Sequence, residues 1–248
     1  MSVAIAAAVL VVFALGATLQ RVAGLGLGLV AAPILSLLLG PVVGVTLSNV
    51  GAVAGALLIW GAMRRSVDWS RFWHVAPLLV VGSVIGAAVV RAADPAVLNV
   101  VLGGSVLAAL GASWLLRRQA AVGGRGAGWG AGVIGGFMNT TAGVAGPAMT
   151  VYALATRWEH RSFAATLQPL FLCANATSVI TKLAVGTGIP PGSVPWTVWP
   201  AVVAGVAAGV LAGGLLARRV PQHRGRAVAV SVALTGGAVV LVRGLTTL

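Results

Sequence analysis

Acidic side chains are almost missing from this chain: three, Asp68, Asp94 and Glu159, stand against 16 lysines and arginines in 248 residues. All three fall in expected loops, so no proton relay or strong sodium site built on a buried carboxylate is expected. Cysteine occurs once, at Cys173, which excludes an internal disulfide and a cysteine-based metal site. It lies in an apolar segment, where packing is its expected role. His74, His160 and His223 stand at segment ends with no partner at ligand spacing, so no metal is expected. A membrane-embedded enzyme would need a general acid and base, an oriented nucleophile or a metal, and none of these is assembled here. No cofactor is expected.

What fills the chain instead is apolar: 59% of residues are hydrophobic and 8% charged, with a mean hydropathy of +1.04. Soluble domains of this length do not have that composition; bundles of membrane helices do. The net charge of +13 would suggest nucleic acid in a soluble chain. Here the arginines flank apolar segments, so they read as topology signals beside a lipid bilayer, and no nucleic-acid partner is expected. The first apolar segment lacks a basic stretch before Val3 and runs into a glycine motif, so it reads as a retained helix.

That motif, Gly16 to Pro33, places Gln20, Arg21 and the run Gly24, Gly26, Gly28 between apolar stretches Val3–Leu19 and Leu25–Leu39. Each stretch is short against the ~20 residues of a crossing helix. Two short helices meeting at a polar, glycine-rich break resemble the discontinuous helices of transporter binding sites. An intramembrane arginine there must line a polar cavity or act on a ligand. The alternative is that Arg21 merely ends the first helix at the headgroups. A dinucleotide loop is excluded, because the glycine spacing differs and no strand precedes it.

Further apolar segments are expected at Val42–Ala62, Phe72–Val90, Ala96–Leu116, Trp129–Asn139, Val144–Ala155, Phe163–Val185, Trp196–Ala217 and Ala227–Leu241. The eight tryptophans lie near segment ends, where amphipathic rings favour the headgroup region. The second half repeats the first. A shift of about 119 residues lays Gln20, Arg21 and Gly24 on Asn139, Thr140 and Gly143. Shifts of about 120 and 123 align Thr46 and Leu47 with Thr166 and Leu167, and Pro77, Gly82 and Gly86 with Pro200, Gly205 and Gly209.

The expected architecture is an all-α integral membrane protein of ten helical segments and one domain over residues 1–248. Each repeat, about 3–116 and 129–245, holds a short broken helix pair and three long helices, with a basic linker at 117–128. If each pair enters and leaves on one side, that arrangement gathers Arg64, Arg65, Arg71, Arg117, Arg118, Arg125, Arg157, Arg161, Arg218, Arg219, Arg224 and Arg226 on one face. The other face keeps Arg91, Lys182 and Arg243, with Arg21 at a tip. The positive-inside rule favours this arrangement. The repeats are then inverted, and both termini lie outside a bacterial plasma membrane.

In the Phe163–Val185 segment, Gln168, Asn175, Ser178 and Lys182 share one helical face and so point inward. Interhelical hydrogen bonding is the competing role, and Lys182 is near enough to the helix end to snorkel. Pro169 should kink this helix. Thr46, Ser48 and Asn49 are the polar residues at the corresponding level of the first half. Gly82 with Gly86, and Gly205, Gly209 with Gly213, read as packing positions.

These features together resemble the TauE/SafE family of sulfite exporters. The likeness is carried by Gly24, Gly26, Gly28 and Pro33 in one half and Gly143, Gly146 and Pro147 in the other, with the Thr-bearing and Pro77/Gly82/Gly86 helices in the same order. Here the first motif alternates Gly-Leu in place of a glycine triplet. The resemblance implies a secondary permease for a small, often sulfur-containing anion such as sulfite, sulfoacetate or thiosulfate. The expected site lies near the midplane, with backbone N–H groups around Gly24–Gly28 and Gly143–Gly146 as donors. Arg21 would add charge, and Gln20, Asn139, Thr140, Thr141, Gln168 and Asn175 neutral hydrogen bonds. The alternatives are a permease for a non-sulfur organic anion and a non-transporting membrane scaffold.

Overall fold

A computed structural model describes residues 2–24, 27–115 and 125–248. The described residues form ten α-helices and no strand: α1 (Ser2–Ala23), α2 (Gly28–Leu39), α3 (Pro41–Met63), α4 (Trp69–Ala92), α5 (Pro95–Leu115), α6 (Arg125–Ala142), α7 (Gly146–Ala155), α8 (His160–Ala184), α9 (Val198–Leu216) and α10 (Gln222–Thr246). Seven of them, α1, α3, α4, α5, α8, α9 and α10, are long and apolar enough to cross a membrane. The protein is therefore a multi-pass, all-α membrane protein. Gly26 and the linker arginines Arg117 and Arg118 lie outside the described residues.

Local chemistry explains where the helices stop. Gly24 and Gly143 adopt φ of +71° and +73°, a conformation that only glycine takes without strain. Each N–H closes back on the carbonyl four residues earlier, Gln20 and Asn139, at 2.9 Å. That is a left-handed helix cap. Gly40, at φ +85°, turns α2 into α3, and Pro41 occupies the first turn of α3, where its missing N–H costs nothing. Asp68 caps α4 through Arg71 N, and Glu159 caps α8 through Arg161 N and Ser162 N. These backbone bonds, with the neighbouring His160 and Arg161, hold the Glu159 carboxyl below its usual range.

The breaks fall later than the sequence implies. α1 does not end at Leu19: it continues through Gln20 and Arg21 to Ala23, 22 residues in all, or about 33 Å. α6 likewise includes Asn139, Thr140 and Thr141 in its last turn. The short members are α2, with 12 residues, and α7, with 10. At about 18 and 15 Å they cover roughly half of a ~30 Å hydrocarbon layer.

Small residues decide which helices meet. Leu10, Ala14 and Thr18 of α1 lie in order against Gly205, Gly209 and Gly213 of α9, so the two run parallel. Val133 and Phe137 of α6 lie in the same way against Gly82 and Gly86 of α4. The shift that carries Gly82 onto Gly205 also carries Leu10 onto Val133 and Ala14 onto Phe137. Each half thus lends its first helix to the fourth helix of the other. α5 and α10 cross antiparallel, with Gly103 on Gly237 and Gly244 on Val100, and α3 packs along α8.

These pairings collect the loops at two ends. The arginine-rich end joins the α3–α4, α7–α8 and α9–α10 connections: Asp68 N donates to Thr166 Oγ1 at 2.8 Å and Arg71 Nη1 to Thr156 Oγ1 at 3.0 Å. Arg71 also lies over the Trp158 ring at 4.6 Å. Trp158 is therefore no lipid-belt residue but a buried one, packed on Tyr152 and Phe163. The other end holds the start of α1, the end of α10 and Arg91, and there Arg243 Nη1 donates to Leu37 O at 3.0 Å.

Candidate functional site

The two breaks meet in the interior. A Cβ added at Gly28, the first residue of α2, would overlap the Gly143 carbonyl oxygen, and one at Gly143 would sit 2.7 Å from Ala32 Cβ. Only glycine at both positions lets the hairpins touch backbone to backbone. Beside this contact is a small cavity of about 20 Å³, walled by Gln20, Leu27, Asn139, Gly143, Gly146 and Phe171. That volume suits a water molecule. The N-termini of α2 and α7 open on it; Leu27 O takes the N–H groups of Val30 and Ala31, Ala145 O takes that of Met149 and Pro147 has none, so only the first one or two N–H groups of each helix lie outside the helical ladder. Both present the positive end of a helix dipole.

Neutral polar side chains surround the contact. Gln20 Oε1 accepts from Leu27 N at 3.2 Å and so holds the entry to α2. Asn139 Nδ2 donates to Asn175 Oδ1 at 3.1 Å, and Asn175 Nδ2 to Phe171 O at 2.7 Å. Asn49 Nδ2 donates to Ser178 Oγ and, at 3.5 Å, to Asn139 O. This network joins α3, α6 and α8. Ser48 Oγ and Asn49 Oδ1 are buried without a partner, and Ser48 Oγ lies near Gly28.

Of the sequence-expected residues, Gln20, Gly28, Asn49, Asn139, Gly143, Gly146, Asn175 and Ser178 come together here. Others do not. The Cβ of Arg21 packs on Gly213 near the end of α9, beside the Arg218–Arg219 turn. This places it toward the arginine-rich end, where it closes α1. Gly24 is exposed and lines a separate cavity of about 150 Å³ with His160, Gln222 and Arg226. Thr140 faces Gly86 of α4, and the Thr46 and Thr141 hydroxyls bond carbonyls of their own helices at 2.7 and 2.9 Å. Gln168 is buried, its Nε2 on Ala164 O and its Oε1 unpartnered. Lys182 is buried one turn past Ser178. Sequence reading missed Phe171 and Ala52, apolar walls of the cavity, and buried Ser36, Ser83 and Asn99. A lone polar residue in an apolar run was the signal available for the last three.

Broken helix hairpins joined backbone to backbone beside a small, mostly apolar interior cavity that Gln20 and Asn139 also line define a multi-pass membrane protein with discontinuous helices at its centre. The chain belongs to the sulfite exporter TauE/SafE family, whose pattern matches residues 8–240. That is a family of membrane transporters, and the match takes in both breaks, α2 to α9 and most of α1 and α10. No curated protein and no solved structure matches the chain.

Proposed function

We propose that the protein is a secondary permease for a small anion, a sulfur oxyanion or organosulfonate of the sulfite, thiosulfate or sulfoacetate type. The observation that carries this reading is the contact of Gly28 with Gly143, where two helix N-termini and the Gln20 and Asn139 amides surround one pocket. Dipole ends and neutral amides attract an oxyanion without trapping it, which release requires. Family membership supports the substrate class.

The pocket as it stands, at about 20 Å³, is too narrow for an oxyanion and separate from the 150 Å³ cavity at the arginine-rich end and one of about 320 Å³ at the other. Transport therefore needs the hairpins to part alternately toward each. The exchanged pairing of α1 with α9 and of α4 with α6 supports two inverted repeats, about 3–116 and 129–245, within one domain. The arginine bias supports a plasma-membrane orientation with both termini outside. Substrate chemistry needs no enzyme mechanism. Coupling through a carboxylate has no residue to carry it: Asp68 and Glu159 cap helices, and Asp94 is exposed.

Uptake into proteoliposomes of sulfite, sulfate, thiosulfate, sulfoacetate and acetate tests the reading, with and without a pH gradient. Saturable uptake of a sulfur anion by wild type, lost in Asn139→Ala and kept in Arg21→Gln, supports it. Uptake of acetate alone moves the substrate to organic anions. No uptake of any anion sinks the permease reading.

A further inference from the structure

Lys182 is the one acidic or basic side chain among the buried polar residues described; it is 1% exposed and its Nζ has no hydrogen-bond partner. The surroundings make this unusual. Lys182 lies in the last turn of α8, and its neighbours Ile180 and Leu183 are 63% and 61% exposed. The exterior is thus one residue away, and a lysine stem at a helix end ordinarily snorkels to water. This one turns inward, where an unpaired ammonium is strongly disfavoured.

The polar residues next along its face are uncharged. One turn back along the same face, Ser178 meets Asn49 of α3. Antiparallel to it, Thr46 of α3 has its hydroxyl on Val42 O. Neither α3 nor α8 brings a carboxylate, since the three carboxylates of the chain stand elsewhere. The cavity at the arginine-poor end opens beside this turn, walled by Thr46 and Val50 of α3 and Val179 and Leu183 of α8. The Lys182 amine, with hydrogens to donate and no acceptor in the protein, lies one turn beyond the Asn49–Ser178 contact and next to Leu183 of that cavity's wall, and is half of an anion site.

Resting on the permease reading, we infer that Lys182 is a second anion station, which binds the substrate oxyanion between the arginine-poor end and the central pocket. An oxyanion supplies both the countercharge and the acceptors that the protein withholds. Ser178 and Asn49 then lie on the way to the Asn139–Asn175 pair, so the polar face of α8 becomes a track with one charged step.

The test measures sulfite flux separately from each face of proteoliposomes with a single protein orientation, for wild type, K182M, K182Q and K182R. Charge-assisted hydrogen bonding sets the expected size: K182M and K182Q raise KM at the arginine-poor face about tenfold or more. KM at the arginine-rich face stays within about twofold, and K182R restores most of the loss. An equal change at both faces, or none, overturns the second station and leaves the permease intact. So does a fold, followed by gel filtration and thermal unfolding, that only wild type and K182R retain. Wild type that moves none of sulfite, sulfate, thiosulfate, sulfoacetate or acetate overturns both readings; if it moves one of the others and not sulfite, the same comparison is made with that anion.

Discussion

Asn139 and Asn175 give the sharpest separation of binding from packing. Their bond, Nδ2 to Oδ1 at 3.1 Å, joins α6 to α8 and is fully buried. Interhelical bonds of this neutral kind contribute on average about 0.6 kcal/mol in membrane proteins and at most about 1.7. If holding two helices together is their only role, Asn139→Ala and Asn175→Ala each lose stability on that scale. The conformational balance then shifts by no more than about 20-fold. Asn139 alone of the two walls the central pocket, so as an anion donor it contributes a further ~1.5–3 kcal/mol. That is about 10- to 150-fold in KM. The expected cycle is therefore asymmetric: both variants unfold similarly early in mixed micelles, with a coupling energy below about 2 kcal/mol, while KM rises far more in Asn139→Ala. Flux that falls equally in both single variants, in step with stability and with no KM difference, would refute the placement of the anion at Asn139.

Two further outcomes are expected. Gly28→Ala drives a methyl group into the Gly143 carbonyl, costing about 1–3 kcal/mol of overpacking and abolishing uptake. Gly24→Ala meets only Gln222 Nε2, at 3.7 Å, so it carries the left-handed backbone penalty of about 1–2 kcal/mol and keeps uptake; comparable flux in the two variants would contradict the contact between the breaks. A reporter active only in the cytoplasm, fused after Leu248, should stay dark, and a bright signal would reverse the assigned orientation.

The ten segments were legible because hydropathy over 15 to 25 residues is a local property that the bilayer enforces. The glycine breaks were legible for the same reason: Gly24 and Gly143 carry their conformational requirement in one residue. What local reading could not fix was where the helix ends relative to the polar residues beside each glycine. Gln20 and Arg21 look like a break, yet they form a last helical turn, because the cap lies three residues further on. Arg21 then points to α9, a partner set by Gly213 nearly two hundred residues away. The small-residue repeats mark packing positions by their spacing, but their partners are not legible in sequence, since the α1–α9 and α4–α6 pairings cross between the halves. The Asn49–Asn139–Asn175 cluster was half visible: the stripe on α8 follows from periodicity, whereas its meeting with α3 and α6 depends on the fold.

The glycines that end α1 and α6 are related by a shift about four residues shorter than the one that matches their packing surfaces, so α1 carries about one extra helical turn. For a carrier that opens by exchanging the shapes of its halves, this turn breaks the exchange. α1 cannot take the shape of α6 while its extra turn keeps Arg21 packed on Gly213 of α9. On the permease reading proposed above, the inward-open and outward-open states are then unequal in free energy, and a solute would meet a different affinity at each face even with no gradient applied. Such a carrier rests facing one way, and the concentration at which it saturates depends on the side from which the solute arrives.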